Sequence, residues 1–257
     1  MRKLIKSKFC LVTSWLLLVA PVFGSSSEVA HELANGNAKI QLAQVGQCLE
    51  NSELDAGIAT FKSFLAGSEL ERVHGLLMRT AERSPSCRAQ IIQGLMAAMS
   101  HVIAKDPPLS NVGVNQPTYY LWQNATNLLA KLQATEALDL LIANLGLTDG
   151  WSVSVSHYPA IDALIRIGQP AIPKLEFVLH NNSQPHMRKF AVFCISLIGG
   201  VRARNALSKA LSTESDPCVN KFMRISLDLF GTRGRPNSIT PADGKWYSAF
   251  YCLPERD

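Results

Sequence analysis

The sequence predicts an all-α fold: an α-α superhelix, a short solenoid of stacked helix pairs, preceded by an irregular helical section. Three observations predict it. An apolar helix, a hydrophobe–glycine break and a second apolar helix recur in the second half of the chain, with Ile167-Gly168 and Ile198-Gly199 31 residues apart and Phe230-Gly231 32 residues further on. Near-constant spacing of helix pairs is what such a solenoid requires, because each unit buries its apolar stripe only against its neighbours. Elsewhere apolar residues recur at helical spacing. No convincing strand pattern interrupts them: Trp151–Ser156 alternates, but it is short and reads as an extended connection.

The chain opens on Arg2, Lys3, Lys6 and Lys8 with no acid, followed by an apolar run from Phe9 to Phe23 and by Gly24 before Ser25, Ser26 and Ser27. This is the basic region, apolar core and small-residue exit of a secretory signal peptide, expected over residues 1–24. The run is shorter than the ~20 apolar residues a membrane span needs, and Thr13, Ser14 and Pro21 interrupt it. No later run is long enough to span.

Residues 25–117 are expected to form the irregular section. Ser52 with Asp55, and Ser68 with Glu71, have the spacing of helix starts, where a hydroxyl caps free N–H groups and a carboxylate meets the helix dipole. Apolar stripes follow at Phe61, Phe64 and Leu65, and at Leu70, Val73, Leu76 and Leu77. Ser86 is expected to open a helix carrying Ile91, Ile92, Leu95, Met96 and Met99, which Asp106-Pro107-Pro108 ends because proline cannot continue the hydrogen-bond ladder. After a loop, a helix from about Tyr119 begins the regular section. Its break falls at Gln133-Ala134, and Ala137, Leu138, Leu141 and Leu145 line the partner helix. The next copy spans about Ser156 to Leu179. Gln184-Pro185 and Asp216-Pro217 then place proline at the first helical position, where its missing N–H costs nothing, with Asp216 as N-cap. Residues 232–257 are turn-rich, and Trp246, Tyr247, Phe250 and Tyr251 are expected to fold back as a cap on the last helix pair.

Residues 118–231 resemble HEAT repeats, in particular the short bacterial type also found in phycobilin lyases. The likeness rests on Met187-Arg188, Ala191, Leu197 and Ile198-Gly199 as a first helix, with Ala203, Leu207 and Leu211 as its partner. Ala160, Ile167-Gly168, Ala171, Leu175 and Leu179 play the same parts one copy earlier. Asp216-Pro217, Val219, Met223 and Phe230-Gly231 begin a fourth copy. The first copy departs from the pattern, with Gln133 in place of glycine. What the resemblance implies is a packing code, which specifies fold far better than function.

Export would place five cysteines, Cys48, Cys87, Cys194, Cys218 and Cys252, in an oxidising compartment. Cys194 sits in an apolar helix and reads as a buried small hydrophobe. The tidiest pairing of the rest joins Cys48 with Cys87 and Cys218 with Cys252, although four cysteines permit three connectivities. The net charge of +5 belongs largely to the first 24 residues; the remainder carries 21 bases against 20 acids. That balance is no argument for nucleic acid or anionic lipid as a partner.

No nucleophile elbow, nucleotide loop or zinc spacing occurs, so neither catalysis nor a cofactor is expected. Of the six histidines, His180 and His186 flank one loop and read as surface residues. Asn124 and Asn181 head glycosylation triplets. Arg188, Arg202 and Arg204, with Lys189, Lys209, Lys221 and Arg224 near them in sequence, form a basic group, and the three arginines are the candidate interaction face. The expectation is an exported, periplasmic or secreted, non-catalytic scaffold whose partner is another protein. The rivals are an enzyme or chromophore-handling protein of the lyase type, and an envelope glycan-binding module using Tyr119, Tyr120, Trp122, Trp151 and Tyr158.

Overall fold

Ten α-helices and no strand occur among the residues that the computed structural model describes, namely 48–62, 68–105, 116–148, 158–232, 250 and 252. The expected signal peptide, the strand-like Trp151–Ser156 and the tail, except Thr232, Phe250 and Cys252, lie outside the described residues.

The first three helices form the N-terminal section. Helix α1 (Asn51–Ala59) begins one residue before Ser52, and the cap is made by Glu50 and Glu53: the Glu50 N–H donates to Glu53 Oε2 at 2.8 Å. Helix α2 (Ser68–Arg83) takes Ser68 as its first helical residue, one position inside where the capping spacing places it. Helix α3 (Pro85–Lys105) corrects the expected start. Ser84, not Ser86, is the cap, accepting the Cys87 N–H at 3.1 Å, because Pro85 takes the first helical position and leaves Ser84 just outside. A short 3-10 turn, Thr60–Lys62, follows α1 and sets Phe61 into the core, fully buried.

Seven helices follow in pairs: α4 (Gln116–Lys131) with α5 (Leu138–Ala143), α6 (Pro159–Ile167) with α7 (Ile172–Asn181), α8 (Pro185–Ile198) with α9 (Gly200–Leu211), and α10 (Pro217–Thr232). They pack in two rows. The first helices α4, α6, α8 and α10 touch in succession, and so do the second helices α5, α7 and α9. Each second helix also packs on the first helix of the next pair. One continuous apolar core runs between the rows, with Leu128, Leu141, Leu164, Leu175, Ile195 and Leu207 all fully buried. At about 1.5–3 kcal/mol for each large aliphatic side chain removed from water, this stripe is what holds the pairs together.

The breaks explain why glycine recurs. Gly168 (φ 77°, ψ −136°) and Gly199 (φ 69°, ψ −170°) end α6 and α8 in a backbone region closed to side chains with a Cβ. The first pair reaches the same end differently. Gln133 (φ 51°) stands in the left-handed position past α4, with its N–H on the Ala130 carbonyl and the Ala134 N–H on the Leu129 carbonyl. This is a Schellman ending in which glutamine replaces the usual glycine. The expected break at Phe230-Gly231 is not found: α10 continues through Gly231 to Thr232. Glycine permits a break but does not force one, and its cost in a final helical turn is only about 1 kcal/mol.

Candidate functional site

Side chains from α3 and from two of the breaks reach over to cap the end of a first helix further along the chain. Arg88 donates to the Leu132 and Gln133 carbonyls at 3.1 and 3.3 Å and pairs with Glu136 at 2.6 Å. Its guanidinium holds the Glu136 carboxyl below the ordinary carboxylate range. Gln133 Nε2 donates to the Arg166 carbonyl at the end of α6, at 3.0 Å. Gln169 Nε2 donates to the Gly199 carbonyl past α8, at 2.8 Å. A Cβ on Gly200 would stand 3.1 Å from that same amide nitrogen, so the glycine leaves room for the clasp. The last carbonyls of a helix lack intrahelical partners, and these amides supply them from the neighbouring unit. Sequence reading missed all three clasps, because their acceptors are backbone carbonyls with no residue signature.

The second row carries a matching ladder of ion pairs on its exposed side. Lys174 of α7 meets Asp139 of α5 at 2.6 Å, and Lys209 of α9 meets Glu176 of α7 at 3.2 Å. Exposed pairs of this kind are worth about 0–1 kcal/mol each, so they tune register more than stability.

The candidate arginines do not share one environment. Arg188, on α8, is largely buried and bound by Glu214 in a two-pronged pair, Nε to Oε2 and Nη2 to Oε1, both 2.7 Å. Its Nη1 donates to the Asn182 carbonyl at 2.9 Å. Bonding to Glu214 raises the guanidinium pKa against the opposing effect of burial. Glu214 Oε1 also accepts the Asp216 N–H at 2.8 Å, and Asp216 Oδ1 caps α10 by accepting from Cys218 and Val219 at 2.9 and 3.0 Å. Arg188 therefore fastens the loop after α7 to the loop before α10 and offers no charge to a partner. Arg202 and Arg204 differ: both are exposed on α9, a helix that carries Lys209 as well and no acid. Val201 beside them is 78% exposed, and Phe177 on the adjoining α7 is 66% exposed. A cleft of about 450 Å³ next to the Glu214 network is lined by Ser215, Pro217, Asn220, Lys221 and Arg224, and its lining holds no histidine or cysteine.

The remaining candidates separate as cleanly. His180 lies 3.9 Å from Glu176 on its own helix, while His186 stands edge-on to Phe190, the ring centroids 6.5 Å apart. Among the described residues no group of three His, Cys, Asp or Glu is placed to hold a metal. Tyr119 and Trp122 are core residues, 4% and 0% exposed, so they cannot serve as a glycan platform; Tyr158 packs on Phe190 at 5.3 Å, and Trp151 lies outside the described residues. Asn124 donates its amide to the Phe61 carbonyl at 2.9 Å, and the Thr126 of its triplet is buried, whereas Asn181 is exposed. The cysteines stand in two pairs at disulfide distance, Cys48 with Cys87 (Cα–Cα 5.1 Å) and Cys218 with Cys252 (5.4 Å), leaving Cys194 buried as a free thiol. Burial pushes that thiol far above the ordinary range, which makes it inert.

No family model matches the chain, and no solved structure matches it. Its sequence is similar to MAP3K epsilon protein kinase 1 of Arabidopsis thaliana, 25% identical over 173 residues. The aligned stretch is 67% of this chain and 12% of that protein, so the chain spans about an eighth of the relative's length.

Proposed function

We propose that this chain is an exported, non-catalytic protein-interaction scaffold, a short HEAT-like α-α superhelix led by an irregular helical section. One observation carries the reading: the same device, a break residue capping the neighbouring first helix, recurs from unit to unit along two rows of helices. Units joined this way add surface one at a time, and successive helices line an extended face suited to a macromolecule rather than a closed pocket suited to a small substrate. Two cysteine pairs at disulfide distance support the export route, which begins with a signal peptide over residues 1–24. Among the described residues no helix is long and apolar enough to cross a membrane.

The binding face is the exposed side of α9, where Arg202 and Arg204 flank Val201 and no acid dilutes them. The partner is a protein with an acidic, partly apolar surface. The test is capture from the native envelope with the purified chain and with the Arg202→Glu, Arg204→Glu variant. A partner held by the wild type, released by moderate salt and lost by the variant at unchanged helicity supports the reading, since exposed charges are screened over roughly 8–10 Å at ordinary ionic strength. Equal capture by both chains would overturn the face, and turnover of any substrate by the purified chain would overturn the scaffold.

A further inference from the structure

Beyond α10, two described residues touch the helix rows, and they lie two positions apart. The Phe250 ring sits among Phe190, Phe193 and Phe222, with centroid distances of 5.8, 5.5 and 5.4 Å. Lys189 Nζ donates to the Phe250 carbonyl at 2.9 Å and lies 5.6 Å from the ring centroid. Phe250 is thus bound as a ligand would be, by an aromatic seat on α8 and α10 and by an ammonium group that reads its backbone oxygen. Cys252 follows at once and pairs with Cys218 in the first turn of α10.

The two bridges differ in access. Cys87 is completely buried and Cys48 half-buried, whereas Cys252 is exposed and Cys218 half-buried. Exchange requires a thiolate to reach a bridge sulfur, and the outer bridge presents one at the surface while the inner one has a fully buried partner in Cys87. Reduction of the outer bridge passes two electrons and two protons from a dithiol, leaving two cysteine thiols and the dithiol's own disulfide. A plug whose covalent tether is gone is held by non-covalent contacts, the ring packing and the Lys189 hydrogen bond among them.

We propose that the Cys218–Cys252 bridge is a reducible latch that keeps Phe250 in the aromatic seat of α8 and α10, and that opening it frees the seat for an exposed aromatic residue of a partner protein whose backbone carbonyl accepts from Lys189. This site is separate from the α9 face and stands or falls independently of it.

The experiment titrates the full chain with dithiothreitol, traps free thiols with an alkylating mass tag and maps them by peptide. Cys194, fully buried, reports global unfolding in the same sample. The expected result is labelling of Cys218 and Cys252 at least tenfold lower in reductant than Cys48 and Cys87, with Cys194 unlabelled and helicity unchanged. At that point a fluorescent peptide with the sequence of residues 247–251 should bind the reduced chain at least tenfold tighter than the oxidised chain. Lys189→Met should weaken that binding, and Phe250→Ala should allow it without reductant. Joint labelling of both pairs, or an open latch with no gain in peptide binding and no rise in amide exchange in α8 and α10, overturns the proposal.

Discussion

The N-terminal section and the paired helices solve one problem in two ways. In the pairs, α6 to α9 are short, 9 to 14 residues, and α6 and α8 end where a side chain of the preceding break supplies a missing contact. In the N-terminal section α2 and α3 are longer, 16 and 21 residues, and no repeating neighbour flanks them. What holds that section is specific: the Cys48–Cys87 pair, the Arg88 clasp, and a junction in which Asn124 of α4 takes the Phe61 carbonyl while His74 Nε2 meets the Asn124 carbonyl at 3.3 Å. Apolar packing runs through both sections, and at the N-terminal end these single bonds add to it.

The comparison breaks hardest in the paired section. Ile198→Asp places an unpaired carboxylate at a site 8% exposed, and its cost of several kcal/mol rivals a domain's whole stability. A single cooperative loss of helicity is expected by circular dichroism, and an unchanged midpoint would show that the two rows do not share a core. The next largest effect belongs to the other region. Cys48 and Cys87 are 39 residues apart, and releasing a loop of that size removes about 3–4 kcal/mol by chain entropy. A Cys48→Ser, Cys87→Ser double variant should raise amide exchange in α1 to α3 well before α8 and α9; uniform exchange would erase the distinction between the regions.

Smaller changes sharpen the contrast. Gly199→Ala forces a Cβ into a backbone conformation that costs about 1–3 kcal/mol, although nothing crowds it in space. A urea midpoint lowered to match is expected, and wild-type stability would show that the break tolerates side chains as the Gln133 ending does. The smallest effect is a pH dependence. Burial first, then the charge of Lys131, holds the His74 imidazole below its ordinary pKa of 6.5, against the Asn124 hydrogen bond. The folded protein therefore binds that proton less readily than the unfolded chain. Stability from this source is intact above about pH 6.5 and declines as the pH falls below it. His74→Leu should flatten the dependence between pH 7.5 and 5.5, and an unaltered slope would assign it elsewhere.

Much of the helical plan was legible beforehand because its signals are local. Proline at the first position of α8 and α10, Asp216 as a cap, and Ile167-Gly168 and Ile198-Gly199 as breaks each depend on a few adjacent residues. The errors were local too. Ser86 and Ser84 are both good caps by type, and only the position of Pro85 chooses between them. Gly231 has the composition of a break, but breaking depends on what the next residues pack against.

By itself the sequence determined the helical class, the spacing of the paired units and the burial of Cys194, since periodicity and side-chain type suffice for those. Tertiary structure alone decided which arginine is free. Arg188 and Arg202 are alike as residues, yet Glu214, 26 positions away, takes one into a buried pair and leaves the other in water. It alone showed Gln133 and Gln169 as clasps and Phe250 as an occupant of the aromatic seat. The physical reason is range: propensity and periodicity act over a turn or two, whereas a hydrogen bond or ring contact between distant segments exists only once the backbone has brought them within a few ångströms.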